Sequence, residues 1–268
     1  MSWVITPELQ NLEGVRWADI PANRKWTPAN TTTTMWFDAA DSSSITLNGS
    51  TVSQWNDKSG NNNHATQATG ASQPTYTSNS VNGLPTLTFN GSNSLNSTSA
   101  INGSALNVFL VTRSGPVSAE DVLLTTRTAT SSGFEIYHAN SYSARLRVFP
   151  GTGDRVAGSS TFLPQATYLQ SVTVNSTTST ITSAINGETI AGVGSSTMAA
   201  SGALLRIGSI QGASGGGNWD GLLAEVVIST AVYSNTIYLQ MEGYLAHKWG
   251  LTALLPSNHP YKNTPPVP

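Results

Sequence analysis

From residue 34 onward the apolar positions fall in short alternating runs punctuated by Gly, Asn, Ser and Pro. That period-two pattern predicts strands. The runs predict strands near 34–38, 51–56, 73–77, 84–90, 105–113, 121–127, 133–138, 144–150, 167–174, 179–186, 203–209 and 220–229. Asn82-Gly83 and Asn186-Gly187 read as tight turns, because both residue types tolerate positive φ. Many short strands joined by turn chemistry imply an all-β sandwich or barrel. One segment has a different period. In Asn235–Trp249, Ile237, Tyr238, Met241, Tyr244, Leu245 and Trp249 recur at helical steps, with Ser234 as cap and Gly250 as stop. This helix is expected to cover the end or edge of the sandwich.

Residues 1–33 follow neither pattern. Thr6, Pro7 and Glu8 form a helix-start signal, with a short helix expected over about 7–18 carrying Leu9, Leu12 and Trp17 on one face. Pro21 and Pro28 break the segment, which holds Trp3, Trp17 and Trp26 of the 7 Trp in the chain. Two readings follow. The segment is a strap that packs its Trp on the parent domain, or an attachment arm whose Trp3, Leu9, Leu12, Trp17 and Trp26 bury against another protein. The expected organisation is an arm over 1–33, a main domain over 34–262 and a Pro-rich, extended tail over 263–268.

Composition narrows the function classes. The 268 residues are 38% hydrophobic and only 10% charged, with a net charge of −2 and no Cys. Disulfides and thiolate metal sites are excluded. The lack of a Lys/Arg cluster argues against a nucleic-acid binder, and no apolar stretch is long enough for a membrane span. The start lacks a basic region followed by an apolar run, so a product made in a host cytoplasm without a signal peptide is expected. The 14 acids and 4 His are scattered. A glycosidase needs two nearby carboxyls, and no pair spaced i and i+2 on a strand occurs; Glu120 and Asp121 are adjacent and would point to opposite faces. Glu225, inside an apolar run, is expected to be structural and hydrogen-bonded at an edge or under the helix.

Three places carry candidate chemistry. Asp57, Ser59, Asn61 and Asn63 alternate like the first oxygen ligands of a calcium loop, and equally like a turn held by side-chain hydrogen bonds. The runs 133–138 and 144–149 predict a hairpin with one apolar face and one face of Glu135, Tyr137, Arg145 and Arg147. That face is either a set of cross-strand ion pairs on a solvated sheet or a platform for sugar hydroxyls or an acidic glycan. Trp219, beside a Gly-rich stretch, is expected to be exposed and able to stack on a sugar ring.

Several segments in order carry a resemblance. They are Trp36-Phe37-Asp38-Ala39-Ala40-Asp41, Val52 to Asn61, Asn82 to Gly91, Gly221 to Ile228 and Tyr244 to Gly250. Together they resemble the concanavalin A-like lectin/glucanase superfamily, in the laminin-G-like form common in phage structural and bacterial surface proteins. The resemblance covers about 34–262 and implies a jelly-roll of two antiparallel sheets, one of them concave and often sugar-binding. It also implies that Trp36, Trp55, Phe89, Glu225 and Trp249 are framework. The acid cluster of the glucanase branch and the adjacent acidic metal ligands of the legume-lectin branch are absent. The resulting expectation is a non-enzymatic virion surface protein, a capsid decoration, head-fibre or tail-associated module. Its expected partners are a capsid or tail protein through the arm, a glycan, and further copies of itself, a trimer by analogy. The alternatives are a carbohydrate-binding module of a receptor-binding or bacterial surface protein, and a glycoside hydrolase.

Overall fold

The computed structural model describes residues 17–21, 24–116, 120–127, 132–139, 143–150, 155–161, 165–193, 198, 201–210 and 217–268. The strands are β1 (Met35–Asp38), β2 (Ile45–Asn48), β3 (Thr51–Trp55), β4 (Ala65–Thr66), β5 (Thr75–Val81), β6 (Leu84–Asn90), β7 (Leu95–Ala100), β8 (Leu106–Ser114) and β9 (Asp121–Thr125). They continue with β10 (Ser132–Ala139), β11 (Ser143–Pro150), β12 (Arg155–Thr161), β13 (Thr167–Asn175), β14 (Thr180–Ile185), β15 (Glu188–Val193), β16 (Leu204–Ile207), β17 (Gly217–Asn218) and β18 (Asp220–Ser229). A single α-helix, α1 (Asn235–Lys248), follows among the described residues.

Two runs of ladders organise these strands. One runs β5–β6–β18–β8–β13–β14–β15, with β1 pairing β18 beyond β6. The other runs β2–β3–β4–β7–β16–β9–β10–β11–β12. The pair Thr51–Thr75 links the runs, and every ladder is antiparallel except the short β17–β9 contact. Side chains from both runs meet in one buried cluster. Phe37, Val108, Leu110 and Val226 come from the first run, and Trp55, Leu95, Leu124, Phe134, Ile136 and Ile207 from the second. The protein is thus predominantly antiparallel β with a C-terminal helix, an arrangement consistent with a β-sandwich. The expected core aromatics Trp36, Trp55, Phe89, Phe134 and Trp249 are all buried.

Helix α1 lies on the outer face of β8 and β18, where it was expected at an end or edge. The reason is that these strands are apolar on both faces. Val108, Leu110 and Val226 point to the main core, while Phe109, Val111 and Val227 pack with Met241, Tyr244 and Leu245. Ser234 caps the helix by accepting from the Ile237 N–H. Gly250 ends it at φ +67°, where a Cβ would also meet the Asn82 amide at 2.9 Å.

The same outer cluster receives the described part of the N-terminal segment. Trp26 is buried against Tyr244, with ring centroids 6.1 Å apart, and its N–H donates to the Pro266 carbonyl. Trp17 meets Tyr244 edge-on at 5.1 Å. The Thr32 carbonyl accepts from Ser229 Oγ and Tyr233 OH. Trp26 is thus buried on α1 of the same chain and the half-buried Trp17 meets the same Tyr244 ring, contacts that the strap reading expects. Trp3, Leu9 and Leu12 lie outside the described residues. In the tail, Pro265 and Pro266 are buried, so this segment packs on the same body.

Candidate functional site

The face of the second run that points away from the core carries a continuous polar row. In register, Thr46 pairs Gln54, Gln54 pairs Thr66, Thr66 pairs Asn96, and Asn96 pairs Arg206. Arg206 then pairs Thr125, and Thr125 pairs Glu135. Residues directly opposite in antiparallel strands share a face. Alternation confirms which face, because Ala65, Leu95, Leu124, Phe134, Ile136, Leu205 and Ile207 on the same strands enter the core. The row changes character along its length. Thr46 is exposed and Gln54, Thr66, Asn96 and Arg206 are half-buried, whereas Thr125 and Glu135 are buried.

The accessible half keeps hydrogen-bonding capacity in hand. Among the described residues, the Arg206 guanidinium donates only to the Ile210 carbonyl, at 3.5 Å. Gln54 donates to Asn56 Oδ1 at 2.6 Å, leaving its own carbonyl oxygen open to water. The buried half is a fixed floor. Thr125 Oγ1 donates to the Phe134 carbonyl and accepts from the Arg127 N–H. The Arg127 guanidinium lies 4.0 Å from a Glu135 carboxylate oxygen. Gly133, at φ +95°, lets β10 approach so closely that a Cβ there would stand 2.6 Å from the Thr126 carbonyl. That contact fixes the connection carrying Arg127.

The predicted hairpin is present, with Glu135 opposite Arg147 and Tyr137 opposite Arg145 in register. The side chains of Arg145 and Arg147 lie outside the description. Two expectations are corrected. Glu135 and Tyr137 do not form a solvated surface: both are buried, Tyr137 packing with Val122 and Ile210. Trp219 is not an exposed stacking ring. It is fully buried in the main core, with His138 edge-on at 5.0 Å. Conversely, Gln54, Thr66, Asn96 and Arg206 were not singled out from the sequence. β4 is too short and β7 too polar to register as strands, and the row exists only through pairing.

The loop at Asp57 is a hydrogen-bonded turn. The Asp57 carboxylate accepts from the N–H groups of Trp36, Ser59 and Asn63 and from Ser59 Oγ, at 2.8–3.0 Å. Asn61 and Asn63 turn their amide N–H toward the Thr33 and Thr34 carbonyls. Asp57, Ser59, Asn61 and Asn63 thus form the turn held by side-chain hydrogen bonds that was one of the two readings of this run. No group of three or more His, Cys, Asp or Glu side chains that could hold a metal occurs among the described residues.

Two further titratable groups sit beyond the row. Burial, then the Asp220 charge, pushes Asp121 up to about 6. Burial drives His138 down to about 4, against a hydrogen-bond contact with Gln170.

The densest polar cluster is internal. Glu225 accepts from Trp36 Nε1 at 2.7 Å, Tyr244 OH at 2.6 Å, Trp249 Nε1 at 2.6 Å and Lys248 Nζ at 2.7 Å. Lys248 also reaches Asp38, whose other oxygen takes Lys58. Burial works against ionisation at Asp38, but the two ammonium groups outweigh it and hold its carboxyl below the ordinary range. Glu225 is thus structural and lies under the helix, as expected. Four of the five segments that carry the sequence resemblance supply its residues: Trp36 and Asp38, Lys58, Glu225, and Tyr244, Lys248 and Trp249.

No protein-family model matches the chain, and no curated protein sequence matches it. Solved structures do. The binding domain of Paraclostridial Mosquitocidal Protein 1 aligns at a TM-score of 0.57 with 13% identity, over 81% of this chain and 53% of that one. A Trypanosoma rangeli sialidase aligns at 0.56 with 11% identity, over 81% and 33%. The likeness is one of fold. The Ruminococcus gnavus IT-sialidase CBM40 bound to alpha2,3 sialyllactose aligns at 0.46 with 10% identity, over 57% of this chain and 92% of that one. The chain spans only 26% of the NanB sialidase of Streptococcus pneumoniae.

Proposed function

We propose that this protein is a non-enzymatic carbohydrate-binding module that takes a glycan on the polar row of the second run. The observation that carries the reading is the register-matched row from Thr46 to Glu135, accessible from Thr46 to Arg206 and continued at one end by the buried Thr125 and Glu135. Sugar hydroxyls need paired donors and acceptors on a preformed surface, and Gln54, Asn96 and Arg206 offer them side by side. In a chain with 10% charged residues, the Arg206 and Arg127 guanidinium groups favour an acidic glycan. The lectin-type fold of the structural neighbours supports the same reading. A glycan array with the parent and with Arg206→Ala tests it, and reducing-sugar release from the bound glycan tests the hydrolase alternative.

The setting remains part of the proposal: display on a phage virion surface, with a capsid or tail protein as scaffold and copies of the chain as neighbours. Its support is the sequence resemblance and the charge-poor Ser/Thr/Asn composition. Co-purification with particles is the corresponding test.

A further inference from the structure

We propose that Lys248 and Asp38 condense into an intramolecular isopeptide bond, with Glu225 carrying the proton, so that β1 is covalently tied to α1. The reacting groups already touch. Lys248 Nζ stands 2.6 Å from Asp38 Oδ1 and 2.7 Å from Glu225 Oε2, and the side chains of Lys248, Asp38 and Glu225 are only 10%, 5% and 0% exposed. Holding an amine, a carboxyl and a proton carrier in one water-poor contact makes a slow bimolecular condensation effectively unimolecular. The surroundings are aromatic, since Trp36, Tyr244 and Trp249 close over the cluster while pinning Glu225 by hydrogen bonds.

Each participant has an assigned place. The Glu225 carboxylate takes a proton from the Lys248 ammonium. The freed Nζ attacks Asp38 Cγ, and the Ala40 N–H, which donates to Asp38 Oδ1 at 3.0 Å, holds the charge that develops there. Lys58, 2.8 Å from Asp38 Oδ2, stabilises that oxygen as it departs. It leaves as water, with one proton from Nζ and one returned by Glu225. One N–C bond forms and one C–O bond breaks. An ammonium and a carboxylate become an amide and water, Glu225 ends as it began, and no oxidant or co-reactant is needed. The step removes two buried charges, which is what a low-dielectric site favours. Burial pushes the Glu225 carboxyl up, against the attraction of Lys248, which suits a group that must take a proton and give it back. In a chain with no Cys, such a bond is a covalent staple available without disulfides.

Mass spectrometry of the purified full chain tests this directly. The expected result is a protein one water lighter than its sequence, together with a branched peptide joining the Asp38 and Lys248 segments after digestion. Lys248→Arg and Glu225→Gln should each restore the full mass and yield linear peptides. The parent digest needs no variant to fold. Linear Asp38 and Lys248 peptides from the parent overturn the proposal, whatever its intact mass.

Discussion

Replacing Glu225 with Ala removes one acceptor group from four donors. Counting only Trp36 Nε1, Tyr244 OH and Trp249 Nε1, all at 2.6–2.7 Å, gives a lower bound, to which loss of an Asp38–Lys248 bond would add. All three parent residues are buried, so no water replaces the lost oxygens. A buried donor left without a partner costs about 1–3 kcal/mol, so three cost about 3–9 kcal/mol. A domain of this size loses roughly 2–4 °C of melting temperature per kcal/mol, and its whole stability is about 5–15 kcal/mol. Glu225→Ala should therefore lower the melting temperature by roughly 6–36 °C or prevent folding, read by circular dichroism. Glu188→Ala, at an exposed position, is the control and should melt with the parent. A Glu225→Ala protein melting within a few degrees of the parent would refute the assignment of Glu225 as the acceptor holding β1, β18 and α1 together.

Trp26→Ala should lower the melting temperature by roughly 10 °C, since truncating a buried Trp costs about 3–5 kcal/mol; an unchanged melt with altered oligomeric state would return Trp26 to an attachment role. His138 has its folded pKa depressed to about 4 against an ordinary 6.5, so its contribution is intact above 6.5 and is lost as pH falls toward 4. The loss should reach about 3 kcal/mol in urea melts and be absent in His138→Gln; equal pH slopes for the two proteins would contradict the buried neutral ring. Adding calcium or a chelator should leave the melting temperature unchanged, because donors occupy the Asp57 carboxylate; a rise of several degrees with calcium would restore the loop as a metal site.

The strong strands and the helix were legible because their apolar periodicity is intrinsic: Leu106–Ser114, Asp220–Ser229 and Asn235–Lys248 each announce themselves locally. The hairpin of 133–138 and 144–149 was legible for the same reason. What alternation could not tell was how the far face would be covered. Glu135 and Tyr137 read as surface because they are polar or amphipathic and alternate with core residues, yet both are buried. Trp219 read as exposed because glycines precede it, yet it fills the core beside His138. β7, Leu-Asn-Ser-Thr-Ser-Ala, and β4, Ala-Thr, are strands because neighbours offer them hydrogen bonds, and their own sequences lack the β-branched and aromatic runs that mark a strand. The polar row depends on these two, so Asn96 and Thr66 become site residues only once pairing aligns them with Arg206.

The central claim is that this aligned row binds a glycan. Titration calorimetry of the best array ligand against the parent, Arg206→Ala and Asn96→Ala is the direct measurement. A hydrogen bond to a charged donor contributes about 1.5–3 kcal/mol, so Arg206→Ala should weaken binding about ten-fold or more, with the melt unchanged. Asn96→Ala should weaken it less. Unaltered affinity in both variants would contradict the account and place the glycan elsewhere on the protein.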